Sequence, residues 1–213
     1  MLKKTQEAPV KSGVVYVVDD DEAMRDSLTW LLESNGFKVS CHESAERFLM
    51  ALASTDRTTV ACALLDMRLP GMSGIELQNR LQDEGYHFPL TVITGYGEVK
   101  LAVQAIKQGA TDFLEKPFKE DQLYSVVEKM LSKAYIDQQQ NLEIQTAQSK
   151  LKTLTRREKE VLKCLVDGCT NKQIGEVLKI SLKTVEAHRA NVMDKLGVNR
   201  AATLLKLAIT HNF

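Results

Sequence analysis

Apolar residues in the first 130 positions alternate between short strand-like runs and longer stretches in which they recur every three or four residues. The short runs cover residues 14–18, 37–41, 60–66, 89–94 and 112–115, and polar residues interrupt the second, fourth and fifth of them. The longer stretches have the spacing of amphipathic helices. Strands and helices that alternate five times predict an α/β fold, in which a five-stranded parallel sheet is covered on both faces by right-handed crossovers.

Beyond residue 119 the spacing is helical throughout. A helix is predicted over residues 119–133, and the polar segment 132–150 that follows contains no Pro or Gly. This segment is either a continuation of the helix or a flexible coil. We therefore expect a first domain over residues 12–131, a linker over 132–150 and an all-α domain of four helices over 151–213.

The all-α domain has the pattern of a helix-turn-helix protein. Helices are predicted over 155–167 and 170–178, and a tight turn leads to a longer helix that Ser181 caps and Gly197 ends. A fourth helix is predicted over 199–209. Because the second helix of such a motif enters the major groove of DNA, this half of the chain is expected to bind double-stranded DNA.

The longer helix has two different faces. Its buried stripe is predicted to contain Leu182, Val185, Val192 and Leu196. Arg189 falls on this apolar side, where we expect its stem to reach toward solvent or its guanidinium to pair with a carboxylate of the first helix.

The opposite face of the longer helix is small and polar around one lysine. Its predicted DNA contacts are Lys183, Thr184, Glu186, Ala187, Ala190 and Asn191. Small and polar side chains allow close approach to base edges, and Lys172 in the preceding helix is placed for a DNA phosphate. The alternative interpretation is a four-helix module that binds another protein.

Functional side chains follow four of the five predicted strands. They are Asp19 and Asp20 after the first strand, Asp66 at the end of the third, Thr94 on the fourth and Lys116 after the fifth. The carboxyl ends of parallel strands meet at one edge of the sheet, where ligands bind. Clustered carboxylates repel one another unless a cation lies among them, and their oxygen atoms suit Mg²⁺ with a phosphoryl oxygen as a further ligand.

The two halves of the chain differ in charge. Residues 1–130 contain 14 Lys and Arg and 20 Asp and Glu, whereas residues 131–213 contain 14 and 8. The basic half is the one suited to a polyanion.

The four cysteines lack metal-ligand spacing and are expected to be reduced. The sequence contains neither a signal peptide pattern nor a membrane-spanning run, so a cytoplasmic protein without membrane contact is expected.

The first domain resembles the receiver domain of two-component response regulators. The resemblance rests on motifs that occur in order: Val17-Val-Asp19-Asp20, Asp66-Met-Arg-Leu-Pro-Gly-Met-Ser-Gly74, Ile93-Thr94-Gly95 and Phe113-Leu-Glu-Lys116-Pro117-Phe118. It implies that Asp66 accepts a phosphoryl group from a sensor histidine kinase.

The resemblance also implies a role for each of the surrounding residues. Asp19, Asp20, Asp66 and the carbonyl group of Met67 would hold Mg²⁺. Thr94 would be the switch hydroxyl group, Phe113 the switch aromatic ring, and Lys116, before a cis Pro117, the lysine that pairs with the phosphoryl group. Such a protein is a recipient with slow self-phosphatase activity rather than a turnover enzyme.

The second half resembles the LuxR/GerE-type DNA-binding domain, and the two halves together resemble the FixJ/NarL family of regulators. The motifs are Leu154-Thr-Arg-Arg-Glu-Lys-Glu-Val-Leu162, Gly168-Cys-Thr-Asn-Lys-Gln-Ile174 and the segment 180–196. The resemblance implies phosphorylation-dependent homodimers that form through the fourth helix and fifth strand and bind inverted DNA half-sites. An activator that works directly with RNA polymerase is expected. The chain has no phosphate-binding Gly-x-x-x-x-Gly-Lys motif, so ATP-dependent promoter opening is not expected.

Two other functions are compatible with parts of the pattern. An aspartate-nucleophile phosphatase also uses a strand-end Asp, a Thr and a Lys with Mg²⁺, but it carries a second Asp two residues after the nucleophile, where this chain has Arg68. A phosphorylation-independent adaptor is the third possibility.

Overall fold

A computed structural model describes residues 10–95 and 99–198. The chain divides into two compact units, Met1–Gln138 and Gln139–Phe213.

The first unit is a five-stranded, entirely parallel sheet with helices between the strands. After a 3₁₀ turn at Val10–Ser12, its elements are β1 (Val14–Val18), α1 (Glu22–Ser34), β2 (Lys38–His42), α2 (Ala45–Ala53), β3 (Ala61–Asp66), α3 (Gly74–Asp83), β4 (Leu90–Thr94), α4 (Val99–Lys107), β5 (Asp112–Glu115) and the beginning of α5 (Glu120–Lys152). The strand order is β2-β1-β3-β4-β5. The predicted α/β architecture is therefore confirmed.

The sheet separates two hydrophobic cores, because successive side chains along a strand point to opposite faces. Val15 and Val17 of β1 pack with α1 and α5 on one face, whereas Tyr16 and Val18 pack with α2, α3 and α4 on the other. β3 is buried over its whole length, as its unbroken apolar run predicts for a central parallel strand.

Polar caps fix the starts of three helices that follow strands. The side chains of Asp21, Ser44 and Ser73 accept hydrogen bonds from backbone N–H groups in the first turns of α1, α2 and α3. Glu76 completes a capping box with Ser73 at the start of α3, which satisfies otherwise unpaired donors at both positions. These caps set the direction in which each helix leaves the carboxyl edge of the sheet.

Helix α5 extends through the segment predicted as a linker. Its 33 residues include all of positions 132–150, so the helix is observed rather than the coil. Strong helix formers and the absence of Gly and Pro explain the continuity.

The second unit contains α6 (Arg156–Val166), α7 (Asn171–Leu178) and α8 (Leu182–Leu196). Val161, Ile174 and Val185 pack together where these three helices meet. Val192 and Leu196 of α8 contact Leu162 in a neighbouring cluster. The predicted fourth helix over 199–209 lies outside the described residues.

The prediction that Leu182 is buried is wrong. Its side chain is 53% exposed, because it lies in the first turn of α8, before the helix reaches the apolar cluster around Val185. In the part of the chain that the structure describes, no helix has a long enough apolar stretch to cross a membrane.

Candidate functional site

One lysine joins two buried carboxylates at the carboxyl edge of the sheet. Asp19 follows β1 directly, and Asp66 is the last residue of the neighbouring strand β3; both are buried. The Nζ atom of Lys116, which follows β5, lies 3.1 Å from Oδ2 of Asp19 and 2.8 Å from Oδ1 of Asp66. Three residues that are far apart in sequence therefore form one charged cluster.

Backbone N–H groups hold the two carboxylates in place. The N–H of Asp21 donates to Oδ1 of Asp19 at 2.9 Å, and the N–H of Arg68 donates to Oδ2 of Asp66 at 2.6 Å. Each carboxylate thus uses one oxygen atom for Lys116 and the other for the loop that follows its own strand. This double anchoring fixes the orientation of both groups before any ligand binds.

Gly74 is required by the path of the chain around Asp66. A Cβ atom at this position would lie 2.5 Å from the carbonyl oxygen of Asp66 and 3.1 Å from Cα of Met67. Both atoms belong to the backbone and cannot rotate away. The absence of a side chain therefore lets the start of α3 close over the end of β3.

Burial and charge act in opposite directions on the ionisable groups of the cluster. Burial raises the pKa of Asp19 above its ordinary value, although the hydrogen bonds from Asp21 and Lys116 partly offset this effect. Burial by itself would lower the pKa of Lys116, but the hydrogen bonds and negative charges of Asp66 and Asp19 outweigh it, so the pKa is raised. Lys116 is consequently a cation over the whole physiological pH range.

The other residues predicted for this site lie in different environments. Thr94 is buried at the end of β4, and its carbonyl oxygen accepts a hydrogen bond of 2.8 Å from the N–H of Lys116. Phe113 on β5 is 40% exposed. The carbonyl oxygen of Met67 accepts a hydrogen bond from the N–H of Gly74 at 3.2 Å, and its second lone pair is available for a metal ion. The predicted cis peptide bond between Lys116 and Pro117 is present.

Asp20 is separated from the buried pair. Its side chain is exposed, and across residues 10–95 and 99–198 no three His, Cys, Asp or Glu side chains are grouped closely enough to hold a metal ion. The structure therefore brings together Asp19, Asp66 and Lys116 but not the predicted trio of carboxylates. Two carboxylates and a carbonyl group are nevertheless a donor set that fits Mg²⁺, because this ion keeps several of its water ligands.

Arg25 is a supporting residue that the sequence pattern did not single out. Its guanidinium donates to the carbonyl oxygens of Asp19 and Asp20 at 2.8 and 2.9 Å, and so it fixes the backbone that follows β1. Its place in the first turn of α1 is the only signal in the sequence, and many surface arginines share that position.

The second unit presents an exposed polar face on α8. Every predicted DNA contact on this helix is exposed: Lys183, Thr184, Glu186, Ala187, Ala190 and Asn191. Lys172 in the first turn of α7 is exposed as well. The packing of this unit therefore leaves the whole predicted surface accessible.

Contacts beneath this face fix α8 against the helices before it. The guanidinium of Arg189 donates to the side-chain oxygen of Asn171 at the start of α7, so its partner is an amide rather than the predicted carboxylate of the first helix. Nζ of Lys195 lies 2.7 Å from Oε2 of the buried Glu158 on α6. These two contacts connect the middle and the C-terminal end of α8 to different helices.

The turn between α7 and α8 has the compact form that a helix-turn-helix requires. Lys179 adopts a left-handed conformation with φ of 56° at the end of α7. A Cβ atom at Gly175 would lie 3.0 Å from the carbonyl oxygen of Ile180, so a larger residue there would push the turn away from α7.

Comparison with known proteins assigns a family to each of the two units. Residues 15–128 match the family described as response regulator receiver domain, and residues 152–208 match that described as bacterial regulatory proteins, luxR family. The transcriptional regulatory protein FixJ of Bradyrhizobium diazoefficiens is 41% identical over 197 residues, which cover 92% of this chain and 95% of the relative. TdiR of Thauera aromatica is 40% identical over 196 residues, which cover 91% and 84%.

Solved structures of full-length regulators give the same result. The response regulator StyR superimposes with a TM-score of 0.84 at 38% identity and covers 93% of this chain and 99% of its own. Full-length FixJ from B. japonicum gives a TM-score of 0.59 at 40% identity and covers 95% and 98%. The chain therefore belongs to the FixJ/NarL-type family of two-component response regulators, and it is a transcription regulator that joins a receiver domain to a LuxR-type DNA-binding domain.

Proposed function

We propose that Asp66 is the phospho-acceptor of this response regulator and that a sensor histidine kinase is the donor. The observation that carries the proposal is the position of Lys116 Nζ between Asp19 and Asp66. A carboxylate oxygen of Asp66 attacks the phosphorus atom of a phosphohistidine; the new O–P bond forms while the P–N bond breaks. The ammonium group of Lys116 is then available to pair with a phosphoryl oxygen.

Asp19, Asp20, Asp66 and the Met67 carbonyl group are the residues that would hold Mg²⁺ in this proposal. When bound, the ion supplies positive charge to the phosphoryl oxygens. Asp19 and Asp66 would hold it from the buried end of the sheet, and the exposed Asp20 would add negative charge beside them. The protein itself contributes fixed charges and no group for rapid turnover, so any autophosphatase activity is slow.

Thr94 and Phe113 report phosphorylation to the surface in this proposal. The Thr94 hydroxyl group donates to the phosphoryl group, and the partly exposed ring of Phe113 turns inward toward the space that Thr94 leaves. Beside Phe113, α4 exposes the apolar side chains of Leu101, Val103 and Ile106. This combination supports a face through which the phosphorylated protein forms homodimers.

DNA recognition in this proposal is divided between two types of contact. Lys183 and the small or polar residues around it on α8 read base edges, and Lys172 contacts a phosphate. A dimer would place two copies of α8 on inverted half-sites of promoter DNA. We further propose activation through direct contact with RNA polymerase, and a cytoplasmic location, which the free thiols of all four cysteines support.

The phospho-acceptor is tested by incubation of the full chain with acetyl phosphate and Mg²⁺. Intact mass is expected to rise by one phosphoryl group, and peptide mapping is expected to place that group on Asp66. Asp66→Asn should abolish the increase, whereas Asp56→Asn, a substitution of an exposed carboxylate far from the site, should not change it. Phosphorylation at another residue in the unmodified protein would overturn the assignment.

The same preparation distinguishes a regulator from a phosphatase. A regulator takes up one phosphoryl group and releases it slowly, whereas steady hydrolysis of p-nitrophenyl phosphate would favour the aspartate-nucleophile phosphatase. Arg68 argues against the phosphatase, because this position lacks the second aspartate that would protonate a leaving group.

A further inference from the structure

Two cysteines lie at the two ends of the turn between α6 and α7. The N–H of Cys169 donates to the carbonyl oxygen of Cys164 at 2.9 Å, and the N–H of Gly168 donates to the carbonyl oxygen of Leu165 at 3.1 Å. Gly168 is left-handed, with φ of 83°. These features define a Schellman turn, in which the residues at the positions of Cys164 and Cys169 commonly contact each other.

The side chains of this pair share one apolar environment. Both thiols are partly buried and pack against the cluster of Val161, Ile174 and Val185. They also interact electrostatically: burial raises the pKa of Cys164, and the nearby thiol of Cys169 raises it further. Both effects favour the thiol form of Cys164 over its thiolate.

We propose that Cys164 and Cys169 are a reversible oxidation site of the DNA-binding unit that responds to a peroxide. Cys169 attacks one peroxide oxygen; an S–O bond forms, the O–O bond breaks, and water leaves. Cys164 then attacks this sulfur, so that the S–S bond forms, the S–O bond breaks and a second water molecule leaves. In total, two thiols and one hydrogen peroxide give one disulfide and two water molecules, and a thiol reductant reverses the change.

The disulfide has a structural consequence for the predicted DNA-binding surface. Its S–S bond of about 2.05 Å is shorter than any contact between two thiols, so oxidation draws Cys169 toward the end of α6. Cys169 directly precedes Thr170, whose side chain caps α7. A shift there moves Lys172 and the contact between Asn171 and Arg189, and oxidation is therefore expected to weaken DNA binding.

Oxidation is tested on the full-length reduced protein with hydrogen peroxide, followed by denaturation and alkylation of the remaining thiols. Trypsin cleaves after Lys163 and Lys172, so one peptide contains both cysteines. That peptide is expected to lose two hydrogen atoms, to escape alkylation and to recover both thiols after treatment with dithiothreitol. The buried Cys62, the pKa of which burial raises, should stay alkylatable throughout.

The matched variants separate this pair from general oxidation. In Cys169→Ser the thiol of Cys164 should remain alkylatable, and Cys41→Ser should leave the disulfide yield unchanged. A peptide that keeps both thiols while the exposed Cys41 is oxidised would overturn the site.

DNA binding gives the second readout. Affinity of the oxidised protein for a duplex selected with the reduced protein is expected to fall severalfold and to recover on reduction, while the Cys164→Ala, Cys169→Ala variant does not respond. Equal affinities of the oxidised and reduced protein would overturn the link between this site and DNA binding. Because the chemistry does not involve Asp66, the Asp66→Asn variant should give the same disulfide yield, which separates this test from that of phosphorylation.

Discussion

Asp19 and Asp66 would repel each other at the edge of the sheet if Lys116 did not lie between them, because both carboxylates are buried away from water. Repulsion between like charges and the cost of burial act together in such a place. The cluster therefore depends on a single side chain, which is delivered from a strand that neither aspartate belongs to.

Replacement of this lysine should be costly for folding. Lys116→Met is expected to lower the free energy of unfolding by about 1–3 kcal/mol in magnesium-free buffer, because two buried carboxylates lose their shared partner. Urea denaturation followed by circular dichroism measures the change. The matched variant Lys119→Met removes an exposed lysine three residues later and should have little effect; equal losses in the two variants would contradict the argument.

Gly74 provides a second test at the scale of one residue. Gly74→Ala should destabilise the receiver by about 1–3 kcal/mol, because the new methyl group would meet backbone atoms of Asp66 and Met67. Phosphorylation by acetyl phosphate should slow in the same variant, since the backbone at Asp66 must move. Gly168→Ala, in the DNA-binding unit, loses stability through its positive φ but should be phosphorylated at the normal rate.

At the scale of elements, an ion pair between the buried Glu158 and the exposed Lys195 joins α6 and α8. Glu158 completes the capping box of α6 with Thr155 and also accepts a hydrogen bond from Lys195 of α8. One carboxylate thus stabilises the start of one helix and its packing against another. The hydrogen bond from Lys195 is the main reason that the pKa of Glu158 is lowered.

This lowered pKa predicts the direction of a pH effect. A carboxylate whose pKa is lower in the folded state contributes its stability above its unfolded pKa, about 4.3, and loses that contribution as the pH falls through the folded value. Glu158→Gln keeps a capping-box residue but removes the charge, so it should cost about 1 kcal/mol at pH 7. The cost should shrink toward pH 3. Glu160→Gln removes a partly exposed partner of Arg157 and should leave the acid dependence that Glu158 causes in place.

Helix α8 gives a separate prediction about specificity. On a selected operator, Lys183→Ala should weaken binding by about 1–3 kcal/mol and relax the base preference. Lys172→Ala should weaken binding to all sequences alike and reduce the salt dependence by about one released ion. Fluorescence anisotropy at several salt concentrations separates the two effects. Lys159→Ala, on the exposed side of α6, is the control, and a uniform loss in Lys183→Ala would make Lys183 a phosphate contact.

At the scale of the whole molecule, an acidic receiver is joined to a basic DNA-binding half, and the formal charges cancel over the complete chain. The acidic part would be repelled by DNA and the basic part attracted. Two acidic receivers repel each other in the same way, so two chains pair on DNA most readily through an uncharged surface. The exposed apolar side chains of α4 provide one within the receiver.

The proposed dimer face can be tested without a change to the proposed phosphorylation site. Val103 is 46% exposed on α4, and Val103→Asp should keep the protein monomeric after acetyl phosphate treatment while its phosphorylation remains normal. Light scattering coupled to gel filtration measures the mass. The control is Met50→Asp, which alters an exposed apolar residue on α2. This variant should still form dimers. Dimers of both variants would place the interface elsewhere.

Much of this protein could be predicted from local sequence. Strands and helices in the receiver followed from apolar runs, helix caps and glycine stops, because these signals depend on backbone hydrogen bonding and on which face is buried. The strand-end positions of Asp19, Asp66, Thr94 and Lys116 followed from the same patterns, since parallel strands must end at one edge. The capping box of Thr155 and the N-cap of Ser181 belong to the same local level.

Contacts between distant residues were decided only by the tertiary structure. The periodicity of α8 grouped Leu182 with the buried stripe, but no neighbouring helix covers the first turn in the described part of the unit. Sequence patterns also could not show that Arg189 pairs with Asn171. Nor could they show that Asp20 does not join Asp19 and Asp66 in one group of carboxylates. Sequence fixes which side of a helix or end of a strand a residue occupies; the distance to its partner depends on how separate elements pack, and packing is a property of the whole chain.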